Sequence, residues 1–405
     1  MRRHLSRLRP LLIGSFARLA AALIGLAGTT VAARTLGPAA WGDWVVLFAL
    51  FGWSQHLAEW GLRNVALVEG GRLGAASPGL ILDLWRARLP VLALAAAMLT
   101  TTIWLVRPGD VASSVWFAAA LVVIALNLDW TSLVRGDPVP AAAALVMRPA
   151  GFLLVVLLLP SPLSVAELAA ATAAGWTAAA LAGLSGRPWR RTPATTRRRL
   201  RVARLLRAGV PFFLVTAANQ LAPTADLLAA VWMLGPAAAG TLGLIATVAQ
   251  AATFGAQASA QWWLARSPRL PPGAIRRAVI EAGALGLVAG GGLALLGPPL
   301  LLLVAGPDWA AAAALLPLAG LFVAVTHVTA VLAAWTSAAG GAGTVALIQL
   351  GSQALLWPLL LPAAFAWGLP AVLLLRGIAE IVRAALLAAA WQRRSLLQTA
   401  FVETV

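Results

Sequence analysis

Apolar residues run along this chain in long stretches, with neither the two-residue alternation of a half-buried strand nor the narrow stripe of a soluble helix. A helix needs about 20 apolar residues to cross the hydrocarbon core of a bilayer. Twelve stretches approach or exceed that length: 11–33, 44–60, 89–106, 115–133, 141–159 and 165–184, then 210–233, 239–260, 279–304, 310–335, 344–363 and 369–391. Their length and their Ala- and Leu-rich content predict helices rather than strands, because only a helix or a closed barrel satisfies the backbone in lipid. The expected fold class is an all-α integral membrane protein of about 12 transmembrane helices. The turn between the fifth and sixth spans contains Pro160 and Pro162 and is very short.

The chain reads as two halves. The most Arg-rich stretch, Arg187–Arg207, follows the sixth span. It predicts an N-terminal six-helix bundle over 1–186, a basic cytoplasmic connector over 187–209 and a C-terminal six-helix bundle over 210–405. Leu36-Gly37-Pro38-Ala39-Ala40-Trp41-Gly42 after the first span is repeated as Leu234-Gly235-Pro236-Ala237-Ala238-Ala239-Gly240 after the seventh, 198 positions on. Arg107-Pro108-Gly109-Asp110 is echoed by Gly306-Pro307-Asp308-Trp309 after the ninth. Gly supplies an unusual backbone angle at the end of one helix and Pro pre-sets the start of the next. Six is even, so both halves insert the same way round, related by a pseudo-two-fold axis along the membrane normal with a cavity between them.

Composition agrees and removes alternatives. Hydrophobic residues make up 61% and charged residues 11%, with mean hydropathy +0.88. A soluble surface needs about 25% charged residues, so a water-soluble globule is excluded. All 30 basic residues are Arg, against 13 acidic, for a net charge of +17. Without Lys there is no Walker A lysine and no Schiff-base chemistry. Without Cys there are no disulfides or thiolate ligands, and the three His are far apart in sequence, which argues against structural zinc. The absence of a His/carboxylate constellation and of large loops argues against an enzyme, and no cofactor is expected.

The basic residues lie in short stretches between spans, a membrane-topology pattern rather than a nucleic-acid footprint. With the N-terminus inside, 25 of the 30 Arg fall in inside segments, Arg34 and Arg107 fall outside, and Arg18, Arg376 and Arg383 lie within spans. That asymmetry places both termini in the cytoplasm, with the bacterial inner membrane as the setting. Met1–Pro10 resembles the n-region of a signal peptide, but no cleavage site closes it convincingly, so it is read as retained.

Several of these pieces carry a family resemblance. They are Ala33-Arg34-Thr35-Leu36-Gly37-Pro38-Ala39-Ala40-Trp41-Gly42, Gly61-Leu62-Arg63, Leu234-Gly235-Pro236-Ala237-Ala238-Ala239-Gly240-Thr241-Leu242-Gly243 and Val304-Ala305-Gly306-Pro307-Asp308-Trp309. In order and spacing along the whole chain the sequence resembles the polysaccharide-biosynthesis flippases, of the superfamily that also holds the multidrug-and-toxin extruders. The resemblance implies twelve or more helices in two bundles and alternating access. It implies export of a polyprenyl-pyrophosphate-linked oligosaccharide from the cytoplasmic to the periplasmic leaflet. It also implies membrane lipids, a polysaccharide polymerase and other assembly proteins as partners. Two departures stand out. Ala339-Gly340-Gly341-Ala342-Gly343 lacks the basic residue that the family often has there, and the chain is short for the fourteen helices of the lipid II flippase type.

Charged and amide residues inside spans are the candidate site. A charge at the bilayer centre costs about 2.5–3.5 kcal/mol on insertion scales, so it faces a partner or a wet cavity. Arg376, Glu380 and Arg383 share one face of the last span. Either Glu380 pairs with an Arg and pins the helix, or a net positive face meets a pyrophosphate or an acidic sugar; Arg383 snorkels to the interface in a further reading. Arg18 in the first span either snorkels or binds the anionic head, for which guanidinium is suited. Asn219 and Asp226 share a face of the seventh span, with Pro223 between them as a bend; Asp226 is the candidate for Na⁺ or H⁺ coupling, or caps a helix end. Gln250, Thr253, Gln257 and Gln261 on the eighth span, and Gln349 and Gln353 on the eleventh, either bind sugar hydroxyls or tie helices together. Asn127, Asp129 and His327 read as structural, and Glu59 with Arg63 as an ion pair near the inside surface. The rival function is a cation-coupled small-molecule or multidrug antiporter of the same superfamily, which requires an essential buried acid.

Overall fold

The computed structural model describes residues 2–73, 78–135, 137–185, 201–254, 256, 274–337 and 341–403. Among them all regular structure is helical. The helices are α1 (Arg2–Glu59), α2 (Leu62–Leu73), α3 (Pro78–Val106), α4 (Val111–Leu126), α5 (Asp129–Val134), α6 (Val139–Leu158) and α7 (Val165–Leu184), followed by α8 (Val202–Leu234), α9 (Pro236–Ala252), α10 (Ala274–Ala305), α11 (Ala310–Thr336) and α12 (Ala342–Glu403). A single helical turn, Pro307–Trp309, precedes α11.

Among the described residues eight helices are long and apolar enough to cross a membrane. Two of them are too long for one crossing. The apolar part of α1 and its continuation, Phe16–Gly70, has 55 residues and that of α12, Gly343–Arg393, has 51. At 1.5 Å per residue each measures roughly 80 Å, against about 30 Å of hydrocarbon. Each contains one glycine outside helical geometry, Gly37 (φ 71, ψ 171) and Gly368 (φ 70, ψ −157). Splitting both helices there, counting bent α8 as one span and adding the shorter apolar α9 brings the eight to twelve. The protein is therefore a multi-pass, all-α membrane protein.

The interruptions share one backbone geometry. Gly235 (φ 89, ψ 175) precedes Pro236, and Gly306 (φ 96, ψ 175) precedes Pro307, just as Gly37 precedes Pro38. A Cβ at Gly37, Gly235 or Gly306 would meet nothing within 4 Å. The demand is therefore conformational: positive φ is strained for any L side chain, and glycine alone adopts it freely.

The fourth apolar stretch, expected as one helix over 115–133, is broken. α4 ends at Leu126 and α5 starts at Asp129, with Asn127 and Leu128 between them. The Asn127 Oδ1 accepts from the Asp129 backbone N–H at 3.1 Å, a local i to i+2 bond that competes with helix continuation. After α6, the Ser164 Oγ accepts from the Glu167 N–H while the Glu167 carboxylate accepts from the Ser164 N–H, a reciprocal cap that starts α7.

The chain forms two compact units. Unit 1 comprises 1–36 and 43–220; unit 2 comprises 37–42 and 221–405. The core of unit 1 gathers Leu62, Leu84, Leu128, Trp130 and Leu205. It also carries an aromatic stack in which Phe117 lies 4.9 Å from Phe51 and 5.7 Å from Trp44. In unit 2, α10 and α11 cross at Gly290 and Gly320, where a Cβ on either would strike the other's carbonyl oxygen. Small residues at such crossings let backbones pack where lipid supplies no hydrophobic drive.

The repeated Gly-Pro segments meet each other in unit 2. A Cβ on Gly42 would collide with the Pro236 carbonyl oxygen, and one on Gly240 with that of Pro38. The glycine ending each copy is thus the space into which the other copy's proline carbonyl fits. We expect Gly42→Val and Gly240→Val each to lower the melting temperature in detergent markedly. Gly291→Ala, which would meet nothing within 4 Å inside α10, should be neutral or stabilising by up to about 1 kcal/mol from helix propensity. Equal melting of all three variants would contradict the reciprocal packing.

Candidate functional site: a charge cluster in each unit

Unit 1 gathers its charges around Glu59 at the end of α1. Trp60 (φ 45) and Gly61 (φ 66) break the helix immediately after it. The Trp60 indole N–H donates to the Leu206 carbonyl at 2.9 Å, and its ring stacks on Phe213 at 4.6 Å. This fixed break starts α2 with Arg63 facing α5. Arg63 holds Asp129 in a two-pronged ion pair, Nε to Oδ1 at 3.2 Å and Nη2 to Oδ2 at 2.9 Å. The expected Glu59–Arg63 pair is not what forms. Asp129, oriented at the start of α5, offers both oxygens to the guanidinium fork, and among the described residues Glu59 closes no ion pair. Glu59 instead lies within electrostatic reach of Arg63, Arg88 and Arg148.

Arg88 is buried in α3 and donates to the Ala125 carbonyl at 2.8 Å, filling the gap left where α4 ends early. Arg148, in α6, is exposed and lies over the Trp176 ring at 4.8 Å. Arg18, half-buried in α1, is close enough to Arg63 for the two cations to repel. The cluster therefore brings Arg18, Arg63, Arg88 and Arg148 together with the carboxylates of Glu59 and Asp129. Arg63 and Arg88 were expected between spans. They lie in helices within the candidate spans, because reading spans as apolar runs trims each one where a charge occurs.

Unit 2 gathers its charges along α12. Arg376 does not pair with Glu380. Its Nε lies 3.8 Å from Asp226 Oδ2 of α8, its Nη1 donates to Gln353 Oε1 at 3.5 Å, and its guanidinium lies over the Phe322 ring of α11 at 5.3 Å. Glu380, 2% exposed, pairs with Arg383 at 3.0 Å. Arg383 therefore does not snorkel; its side chain is 13% exposed and turned to its partner. Asp226 does not cap a helix end. It sits inside α8, 8% exposed. Counting Asp226, the expected net positive face becomes neutral: two guanidiniums against two carboxylates. Buried His327 is satisfied within its own helix, with Nδ1 2.9 Å from the Val323 carbonyl.

The amides divide. Gln349 and Gln353 are buried on α12, while Gln250 is exposed near the end of α9, where its carbonyl accepts from the Thr253 hydroxyl at 2.8 Å. The Asn219 side chain, Gln257 and Gln261 lie outside the described residues.

No protein-family profile and no curated protein matches the sequence. Solved structures do. An inward-facing multidrug-resistance MATE-family transporter of the MOP superfamily is 14% identical, with TM-score 0.68, over 95% of this chain and 99% of that one. The lipid II flippase MurJ, in an inward closed conformation, is 13% identical with TM-score 0.73, over 96% of this chain and 92% of the flippase. A MOP-superfamily transporter from Pyrococcus furiosus, described as having a binding pocket of reverse polarity that suggests a different function, is 16% identical with TM-score 0.56, over 96% of each chain. The chain has the MOP-transporter fold, shared by multidrug and lipid-flipping members alike.

The two ion pairs of unit 2 make a stability prediction. Glu380→Leu strands the Arg383 guanidinium in the interior and should cost about 3–5 kcal/mol. The double variant Glu380→Leu/Arg383→Leu should recover most of that. A double-mutant cycle on melting in detergent checks it, and additive losses would show that the pair is not coupled.

Proposed function

We propose that this protein flips a polyprenyl-pyrophosphate-linked oligosaccharide across the bacterial inner membrane, from the cytoplasmic to the periplasmic leaflet, by alternating access. The observation that carries the reading is the gathering of Arg18, Arg63, Arg88 and Arg148 within candidate spans of unit 1. Arg18 lies within electrostatic reach of Arg63, and Arg148, an exposed residue, sets its guanidinium over the Trp176 ring. Guanidiniums gathered inside spans favour the approach of an anion. Guanidinium suits a phosphate oxygen pair, with which it forms parallel hydrogen bonds. The pyrophosphate would be held by Arg18, Arg63 and Arg148. The polar head would cross within protein while the polyprenyl tail stays in lipid.

The same reading puts both termini and the basic 187–209 connector on the cytoplasmic side, where the Arg-rich segments belong, and makes a surface-polysaccharide polymerase the natural downstream partner. The rival, a cation-coupled multidrug antiporter, requires a free buried carboxylate. Asp226 is the obvious candidate, and it is already paired with Arg376.

A strain lacking the gene should accumulate lipid-linked oligosaccharide on the cytoplasmic side and lose the surface glycan, both restored by the wild-type gene. An unchanged lipid-linked pool with intact glycan, in a strain without a redundant flippase, would sink the reading. In proteoliposomes, Arg18→Ala and Arg148→Ala should each lower flipping of a fluorescent polyprenyl-pyrophosphate disaccharide about tenfold, roughly the loss of one charge-assisted contact. Their reconstitution yield and melting should match the wild type. Unaltered flipping by both variants would remove the unit 1 cluster from the site.

A further inference from the structure

Asp226 and Gln353 each set one oxygen against the Arg376 guanidinium, at its Nε and its Nη1. Asp226 Oδ2 comes from α8 and Gln353 Oε1 from the first part of α12, and the face of Phe322 on α11 closes a third side. A carboxylate oxygen, an amide oxygen and an aromatic face are three groups that attract a cation. The cation already there is the Arg376 guanidinium. The other two charges of this interior are spoken for separately, since Glu380 and Arg383 pair with each other at 3.0 Å. Among the described residues no group of three or more His, Asp or Glu is placed to hold a metal ion.

We infer that Arg376 is the resident counter-cation of Asp226, so that the Asp226 position is closed to an exchangeable cation and flipping is not driven by Na⁺ or H⁺ through Asp226. The physical reason is that a carboxylate inside a span needs one positive charge in contact with it. A tethered guanidinium supplies that charge at very high effective concentration, so a dissolved ion would have to displace it. The pair also binds α8 to α12 with no ion to gain or lose. The flipping assay below rests on the proposed function; the melting assay does not.

Two measurements test this on the full-length protein. Melting in detergent is followed from 1 to 100 mM NaCl against KCl. The wild type should be indifferent, whereas Arg376→Gln, which leaves Asp226 without its cation, should rise by about 5 °C or more with Na⁺ as the ion takes the vacated position. The neutral pair Asp226→Asn/Arg376→Gln should lose that response. A wild type that melts higher in Na⁺ than in K⁺, or an Arg376→Gln protein that folds and ignores Na⁺, overturns the inference. Flipping of the fluorescent lipid-linked disaccharide is then measured with and without Na⁺ and pH gradients. Wild-type rates should stay within about twofold across conditions, and the neutral pair should flip within about twofold of the wild type. A wild type that needs either gradient, or a neutral pair that melts normally and does not flip, overturns it as well. A wild type that flips nothing under any gradient defeats the flippase reading instead, and the melting assay still decides the role of Arg376.

Discussion

The arrangement of this protein follows from one constraint: a charge placed in lipid must be closed by another charge from the protein or by the cargo. Unit 2 meets it internally. Asp226 of α8 pairs with Arg376 of α12, Glu380 pairs with Arg383 within α12, and no positive charge in that cluster is left over. Unit 1 gathers arginines instead. Arg63 closes on Asp129, Arg88 and Arg148 lie within reach of Glu59, and Arg18 lies within reach of Arg63. Arg88 has a second use, since it satisfies the carbonyl freed where α4 breaks. The proposed anion site rests on this gathering of guanidiniums.

Glycine meets two different demands in this fold. At Gly37, Gly235 and Gly306 there is ample room for a side chain, and the constraint is positive φ, which ends one span and lets Pro start the next. At Gly42 and Gly240 the backbone is helical, and the constraint is space for a carbonyl of the other copy. One seven-residue motif therefore carries both uses. Its first glycine turns the chain and its second makes the crossing, so the repeat recurs as a unit.

Much of the fold is legible in the sequence because bilayer thickness sets a length that apolar runs must match. The span expected over 165–184 is α7 to the residue, and that over 310–335 misses α11 by one. The break at Asn127–Leu128 is not legible, because its signal, an Asn bonding the backbone N–H two residues on, is local and polar within an otherwise apolar run. The site is less legible. Treating charge as the end of a span assigns Arg63 and Arg88 to loops, although these residues help to build the unit 1 cluster. Lengthening each run to a full helix before counting charges recovers them.

Pairing across helices is the least accessible from sequence, and Asp226 shows why. Helical spacing tells which groups share a face, so it offers Glu380 to Arg376 one turn away. It does not tell which group has the greater need. Glu380 has two guanidiniums within a turn of its own helix, while the nearest basic residue before Asp226 on α8 is Arg207. That is 19 residues away, roughly 28 Å along the axis. A buried carboxylate with no cation within reach on its own helix must take one from another, whereas Glu380 keeps a local choice in Arg383. Arg376 therefore goes to the acid that has no alternative, and the neighbouring pair closes on itself. The same rule, applied to the order of charges along the chain, pairs Asp226 with an arginine of another helix and withdraws it as a free coupling site.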